Sequence, residues 1–419
     1  MTHPIALVDC NNFYASCERL FQPKLQKVAL VVLSNNDGCV IARSNEAKAL
    51  GVQMGEPWHL CKSKKGVIAR SSNYTLYGDL SARVMTVLKT FTPNLEVYSI
   101  DEAFLSFEGF EKRLISHATA MRKEVVQWTG IPVSVGIAPT KTLAKVANRT
   151  AKKNAKWDGV CSLMTGEDQT EALKALDLTD LWGIAGRLDR RLRALGIETP
   201  LALRDAESEF VRKHFGVVVE RMVLELRGIP CHHLVEVNPA NKQIIASRSF
   251  GREVTTLTEL EEAVGSFTER AAAKLRRQHL NANRLGVFVT TNVFKPNDPQ
   301  YNNAFSINLP IATADTARLL RAAMWLTHKL WRDGYRYKKA GVELSDLTET
   351  SSLQADLWTA PDSTKSKTLM RTIDRLNLDH GRGTVSFAMS GTKQRWGLRA
   401  EKKSRHYTTD WEQLLEVRG

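Results

Sequence analysis

Residues 98–105 read Tyr98-Ser99-Ile100-Asp101-Glu102-Ala103-Phe104-Leu105, two adjacent carboxylates set among apolar residues. A carboxylate moved from water into apolar surroundings has to be paired, bound to a metal or neutralised. Neighbours on a regular strand point to opposite faces, so Asp101 and Glu102 converge on one site only at a turn or a strand end. For the pair alone two readings stay open. It is a hairpin corner with both acids in solvent, or, with a third carboxylate, an all-oxygen site that holds Mg²⁺ together with substrate phosphates.

The third carboxylate is available near the N-terminus. Ile5-Ala6-Leu7-Val8 is a short unbroken apolar run that ends in Asp9. Such a run fits a strand buried on both faces, although periodicity alone does not separate it from a helical segment. By itself Asp9, ahead of Asn11 and Asn12, is equally an ordinary loop-start residue. Two apolar strands delivering Asp9, Asp101 and Glu102 would build a two-metal site, with cations about 4 Å apart clamping the attacking and leaving oxygens of a displacement at phosphorus.

Bulk properties point the same way. The 419 residues include 59 Lys plus Arg against 45 Asp plus Glu, a formal net charge of +14. That balance favours a polyanionic partner, nucleic acid first and a membrane surface second. The length predicts three or four domains, and 43% hydrophobic with 25% charged residues is the composition of an ordered globular protein. Six scattered cysteines (Cys10, Cys17, Cys39, Cys61, Cys161, Cys231) show no paired zinc spacing and read as reduced thiols in a cytosolic protein. No leader-like segment and no run of 18 apolar residues is found, so no membrane association is expected. His232-His233 reads as a surface pair, because consecutive side chains diverge and no acidic or Cys partner is near.

Along the chain, residues 1–33 predict a strand, a helix and a second strand. Ser34-Asn35-Asn36-Asp37-Gly38 carries a hairpin signature, and Asn45 to Leu50 a short helix stopped by Gly51. Helical spacing over 80–91 and 115–128 flanks a β segment at 95–107. This alternation predicts an α+β sheet domain with residues 34–77 inserted. Pro139-Thr140 starts a helix with Leu143, Val146, Ala147 and Thr150 on one side and Lys141, Lys145 and Lys152 on the other. For Lys141 and Lys145 the expectation is a solvated stripe, while a lysine near carboxylates and metal has the further use of neutralising a triphosphate. Leu181-Trp182-Gly183-Ile184-Ala185-Gly186, then Leu188 to Leu195 and Gly196, has the layout of a helix-hairpin-helix. In that motif backbone N–H groups grip a phosphate without reading sequence.

Taken together, Asp9-Cys10-Asn11-Asn12-Phe13-Tyr14-Ala15-Ser16-Cys17-Glu18, the hairpin 33–38, Tyr98 to Phe104, and Ser134-Val135-Gly136-Ile137-Ala138 through Lys152 resemble the Y-family translesion DNA polymerases. Within that family they are most similar to the UmuC branch, the catalytic subunits of bacterial DNA polymerase V, and its plasmid-borne relatives. The resemblance runs over nearly the whole length. It implies a multidomain right-hand fold: palm at 1–33 and 78–170, small fingers at 34–77, a helical thumb at 171–237, a linker at 238–243, an α/β little finger at 244–346 and a tail at 347–419. It implies Asp9, Asp101 and Glu102 as catalytic metal ligands for two Mg²⁺ ions, with the Cys10 backbone carbonyl as a further ligand. Tyr14 matches the steric gate against a ribose 2′-OH, beside Phe13, and Lys152 the triphosphate lysine. Lys48 stands where many members carry Arg, and Asn45 where many carry Tyr. Lys cannot reproduce a bidentate fork, so a looser triphosphate grip is expected there.

DNA contacts are implied at Gly183, Ala185 and Gly186 of the thumb hairpin, where Ala185-Gly186 departs from the tighter Gly-x-Gly, and at Arg248 of the little finger. The segment 244–346 holds 15 Lys plus Arg against 10 Asp plus Glu, and its stretch 284–291 reads as a strand of a sheet lying along the DNA backbone. Gln354-Ala355-Asp356-Leu357-Trp358 resembles a sliding-clamp-binding peptide, with Gln354, Leu357 and Trp358 as anchors. The family also implies damaged primer-template DNA and dNTPs as substrates, and a UmuD′-like dimer, RecA and the β sliding clamp as partners. A cytoplasmic, nucleoid-associated place and an error-prone role in the SOS response follow from it too. Two other classes fit part of the pattern. A two-metal nuclease would use the same carboxylates but has no purpose for a sugar gate or a triphosphate lysine. A DNA-binding subunit with little intrinsic activity, acting in damage checkpoint or recombination control, would not need the three carboxylates.

Overall fold

The computed structural model describes residues 3–235, 240–352, 360–392 and 394–415. The chain divides into two units: Met1–Ser34 with Gly38–Asn238 and Lys402–Gly419, and Asn35–Asp37 with Pro239–Glu401. Both are α+β. No helix among the described residues is long and apolar enough to cross a membrane, and all six cysteines are free thiols.

The first unit opens with β1 (Ile5–Cys10) and α1 (Phe13–Leu20), followed by β2 (Ala29–Leu33), β3 (Val40–Arg43), α2 (Asn45–Ala49), α3 (Trp58–Cys61) and β4 (Val67–Ser71). Next come α4 (Tyr74–Leu88), β5 (Leu95–Val97), β6 (Glu102–Ser106), α5 (Leu114–Thr129), β7 (Val133–Ala138), α6 (Lys141–Lys153) and β8 (Val160–Ser162). Five helices end it: α7 (Gly166–Lys174), α8 (Gly186–Arg193), α9 (Pro200–Asp205), α10 (Ser208–Phe215) and α11 (Val217–Leu226).

A mixed sheet in the order β5-β6-β1-β7-β8 forms its centre. Only β7 and β8 run parallel. The apolar run of β1 is buried on both faces, and its period of two feeds two cores. Ala6 and Val8 pack with Leu80, Val84 and Leu88 of α4 and Met121 and Val125 of α5. Ile5 and Leu7 pack with Phe104 and with Leu143 and Ala147 of α6. That second core continues into α8–α11 through Leu192, Leu203, Val211 and Val223.

The strand at 29–33, expected within the palm, lies elsewhere. It is the centre of a separate three-stranded sheet, antiparallel to β3 and parallel to β4. All five residues of β2 are buried. Val31 and Leu33 pack with Val40, Ala47, Val52 and Ala69, while Val32 faces the core of the main sheet. The inserted subdomain therefore starts before Ala29 rather than at residue 34.

The second unit contains β9 (Gln243–Val254), α12 (Leu257–Arg277), β10 (Leu280–Thr291), β11 (Asn302–Thr313), α13 (Thr316–Leu330), β12 (Tyr337–Glu349) and α14 (Thr364–Asp379). Its sheet, in the order β11-β10-β12-β9, is antiparallel throughout. Leu285, Val287 and Val289 are buried in the core shared with α12 and α13, while Arg284, Phe288 and Thr290 alternate to the open face. The expected tail is largely structure. Residues 347–349 finish β12, Arg276 pairs with Asp374 of α14 at 2.7 Å, and Trp396 is buried against Phe250 and Phe267. Residues 402–415 belong to the first unit. The clamp-like residues Gln354, Leu357 and Trp358 lie outside the described residues.

Candidate active site

The three carboxylates lie at one end of the main sheet. Asp9 on β1 stands directly opposite Glu102 on antiparallel β6, and the Cys10 N–H donates to the Asp101 carbonyl at 2.9 Å. Asp101 sits in the turn before β6, and that turn is organised by Ser99. The Ser99 hydroxyl donates to Asp101 Oδ1 (2.6 Å) and accepts from the N–H groups of Asp101 (3.2 Å) and Glu102 (3.1 Å). A strand end preceded by a tight turn is what lets adjacent acids serve one site.

Helix α6 brings the cations. The Thr140 hydroxyl caps it by accepting from Leu143 N–H (3.2 Å), and the buried Glu225 carboxylate accepts from Thr142 N–H (2.9 Å). Gly136 lets the helix settle onto β7: a Cβ there would overlap the backbone of Ala144 and Asn148. Asn148 then donates to the carbonyls of Ser134 (2.7 Å) and Leu7 (3.3 Å). So fixed, Lys152 Nζ lies 2.5 Å from Asp9 Oδ1, and Lys145 Nζ lies 2.9 and 3.0 Å from the two Glu102 oxygens.

The solvated stripe expected for Lys141 and Lys145 is not what forms. Lys141 is buried, 2.5 Å from Glu96 and donating to the His233 carbonyl at 2.8 Å. Lys145 is enclosed by aromatic faces, 4.5 Å from the Tyr98 ring centre and 5.3 Å from that of Trp182. The helix is covered on both sides, so its polar face became the wall of the site. Of the His232-His233 pair, His232 packs edge-on to Trp182 and the His233 carbonyl accepts from Lys141.

Burial pushes the Asp9 carboxyl up to about 6; Lys152 opposes this, and the charges of Glu102 and Asp101 add to it. Burial and the charge of Asp9 likewise push the Cys10 thiol up, so that side chain stays protonated. Among the described residues no three His, Cys, Asp or Glu side chains close on one point as metal ligands. Asp9, Asp101 and Glu102 thus share one strand end without forming the common ligand cluster expected of them. Each carboxylate is instead held by a separate neighbour: Asp9 by Lys152, Asp101 by Ser99 and Glu102 by Lys145. The donor set still fits hard divalent cations, being carboxylate-rich and mutually repulsive.

Phe13 and Tyr14 open α1 after Asn12, whose φ of 49° is left-handed. Phe13 is buried, whereas Tyr14 is half-buried and lies flat on Tyr77, with ring centres 4.6 Å apart and planes 17° apart. Tyr74 meets it edge-on at 5.9 Å. Lys48, on α2, donates to Asn12 (2.6 Å) and Asn45 (3.3 Å). Its ammonium is held below the usual lysine range by burial and by the positive charges of Arg43 and Lys152. Arg43 is thus a cation near this group that sequence reading passed over. Its only signal was its place at the end of β3, where its guanidinium donates to the Val52 carbonyl.

Elsewhere the expected contacts are dispersed. Gly183 adopts a φ of 90°, Ala185 is the N-cap of α8 without a side-chain cap, and Gly186 is its first residue. Much of the basic stretch there is internally paired: Arg193 binds Asp177 and Asp189, and Arg191 donates to the His214 carbonyl. Arg248 is exposed on β9 of the second unit.

Comparison with known proteins gives a consistent answer. The impB/mucB/samB family matches residues 8–149, its C-terminal domain residues 241–357, and a domain of unknown function (DUF4113) residues 367–417. Protein UmuC of Salmonella typhimurium is 45% identical over 99% of this chain and 100% of its own. DNA polymerase IV of Pelotomaculum thermopropionicum is 29% identical over 94% and 96%. Among solved structures, a Y-family DNA polymerase chimera of Dbh and Dpo4 matches the fold with a TM-score of 0.65 at 22% identity, covering 83% of this chain and 99% of that one. The chain therefore belongs to the impB/mucB/samB family, as a UmuC-like member of the Y-family DNA polymerases.

Proposed function

We propose that this chain is the catalytic subunit of an error-prone translesion polymerase, adding dNTPs to a primer opposite damaged template DNA in the SOS response. The observation that carries the reading is the strand-end constellation: Asp9 opposite Glu102, Asp101 in the adjoining turn, and Lys152 held against Asp9. In this reading the main sheet with α4–α6 is the palm, the sheet of β2–β4 the fingers, α7–α11 the thumb and the second unit the little finger.

Asp9, Asp101, Glu102 and the Cys10 carbonyl would hold two Mg²⁺ ions. When bound, these ions supply charge stabilisation for the attacking and leaving oxygens at phosphorus. The rest falls to the chain's own residues. Lys152 and Lys48 offer point charges to a triphosphate, and Arg43, close to Lys48, adds a guanidinium. Lys145 orients Glu102. Tyr14, backed by Tyr77, presents a rigid ring against a ribose 2′-OH. The open sheet face around Arg284 and the exposed Arg248 would follow the DNA backbone without reading its sequence. Family likeness supports a UmuD′-like dimer, RecA and the β sliding clamp as partners, and a cytoplasmic, nucleoid-associated setting.

The test is primer extension across an abasic site with UmuD′ and RecA supplied, comparing wild type with Asp101→Ala and Glu102→Ala. Extension by wild type alone is expected. Equal synthesis by all three proteins removes the assignment, and shortening of the primer would turn the reading to a nuclease.

A further inference from the structure

The segment after residue 401 has no part in the reaction just described, yet it is built into the first unit. Lys402 N–H donates to the Ser71 hydroxyl (2.9 Å), and Ser71 N–H donates to the Lys402 carbonyl (3.1 Å), at the end of β4. Asn73, fully buried, donates to the Ser404 hydroxyl (3.0 Å) and to the Arg405 carbonyl (3.1 Å). Tyr407 is buried and stacks on Phe21 with ring centres 4.5 Å apart, and the Thr408 hydroxyl donates to Asp79 (2.7 Å).

The inward point of this segment is Ser404. Its hydroxyl donates to Glu18 Oε1 at 3.0 Å, the same oxygen that accepts the Tyr77 phenol at 2.6 Å. Glu18 and Tyr77 are both fully buried. A carboxylate buried without a contacting cation needs hydrogen-bond donors, and two of its donors come from α4 and from the C-terminal segment. Glu18 lies one helical turn beyond Tyr14 on α1, on the same face. The ring that Glu18 fixes, Tyr77, is the ring on which Tyr14 lies flat.

We propose that residues 402–409 position the sugar gate: Ser404, through Glu18 and Tyr77, sets the plane and rigidity of Tyr14, so that discrimination between deoxyribonucleotides and ribonucleotides depends on the C-terminal segment. Ser404, Glu18 and Tyr77 are positioning residues: Glu18 and Tyr77 are fully buried, and Ser404 reaches Tyr14 only through them. The inference rests on the gate reading of Tyr14. It assigns a task to a stretch of chain 386 residues away from the carboxylate it holds. A stacked pair keeps its geometry only while its hidden partner is fixed, and a phenol free to rock behind Tyr14 would open room at the gate.

The experiment measures single-nucleotide insertion by the full-length protein on an undamaged primer-template, with the same partners, as the ratio of kcat/KM for dCTP to that for CTP. Ser404→Ala and Tyr77→Phe each delete one polar atom and keep every ring. Loss of one hydrogen bond to a buried carboxylate should lower the ratio by about threefold to tenfold in each. Ser404→Thr, which restores the hydroxyl, should return it to wild type. Thermal melting checks folding, and should Tyr77→Phe unfold, Ser404→Ala against Ser404→Thr decides alone. Tyr14→Ala is the control. If it relaxes selectivity while Ser404→Ala leaves the ratio unchanged, the positioning role is refuted and the gate stands. If Tyr14→Ala itself leaves the ratio unchanged, the gate reading fails and the inference with it.

Discussion

Gly136 is the smallest lever on the candidate site. It lies on β7 beneath α6, with an ordinary backbone conformation, so its reason for being glycine is space rather than φ. An alanine Cβ would stand 2.7 Å from the Asn148 Cα and closer still to Asn148 N and the Ala144 carbonyl, where ordinary contacts begin at 3.4 Å. These are backbone atoms of a helix and cannot swing aside, so α6 has to retreat from the sheet by about 1 Å. Overpacking of this kind costs about 1–3 kcal/mol. The retreat also stretches the two bonds by which Asn148 ties α6 to Ser134 and Leu7, adding about 1 kcal/mol. A total near 3 kcal/mol is the expectation for Gly136→Ala, read from urea unfolding.

The larger consequence is kinetic. Lys145 and Lys152 ride on the same helix and reach Glu102 and Asp9 at 2.5–3.0 Å. A displacement of about 1 Å in groups that set reacting geometry costs on the order of 100-fold. Single-turnover incorporation of a correct dNTP should therefore fall by about that factor, at a temperature where circular dichroism shows the variant fully folded. Stability within 0.5 kcal/mol of wild type together with incorporation within about twofold would refute the argument that helix-to-sheet spacing sets the site.

Three further outcomes follow from buried charge. Glu225→Ala leaves the N–H groups of Thr142, Cys231 and His232 without the carboxylate that accepts all three at 2.8–3.0 Å; a loss of about 3–5 kcal/mol in urea unfolding is expected, with Glu225→Gln losing less. Lys141→Met strands the buried Glu96 and should cost about 3–5 kcal/mol, most of it recovered by adding Glu96→Gln, which keeps an acceptor for the Val235 N–H. Burial lifts the Glu18 carboxyl above its usual range, against the opposing pull of its Tyr77 and Ser404 bonds. The folded state thus binds that proton more tightly than the unfolded chain does. The resulting stability is full below the ordinary carboxylate range and is lost as pH rises through the lifted value. As pH rises above the ordinary carboxylate range, melting temperature should fall more in wild type than in Glu18→Gln, and parallel curves would exclude the effect.

What could be read from the sequence was what is local in it. Asp9 ends an apolar run, and Asp101-Glu102 interrupts another, so a strand-end acidic site was legible from the cost of burying carboxylates. The membership of β2 was not, because a strand buried on both faces says that it is covered and not by what. The lysines of α6 misled for a related reason. A helical wheel distinguishes apolar from polar faces, and the polar face here turned out to be enclosed too, satisfied by Glu96 and Glu102 from the opposite sheet strands.

Ser404 marks the limit of such reading. Its partners Glu18 and Asn73 lie 386 and 331 residues away, and no period, cap or motif near residue 404 announces them. A buried carboxylate states its need for donors but not their address. Glu18, one turn after Tyr14 on α1, carries that need; the Tyr77 phenol and the Ser404 hydroxyl are donors that only tertiary structure supplies. The same logic separates the two ends of the site. Asp9, Asp101 and Glu102 are acids whose partners arrive on one helix and one turn of the same unit. Tyr14, in the gate role proposed for it, stacks on a ring whose phenol shares one carboxylate oxygen with a hydroxyl from the far end of the chain.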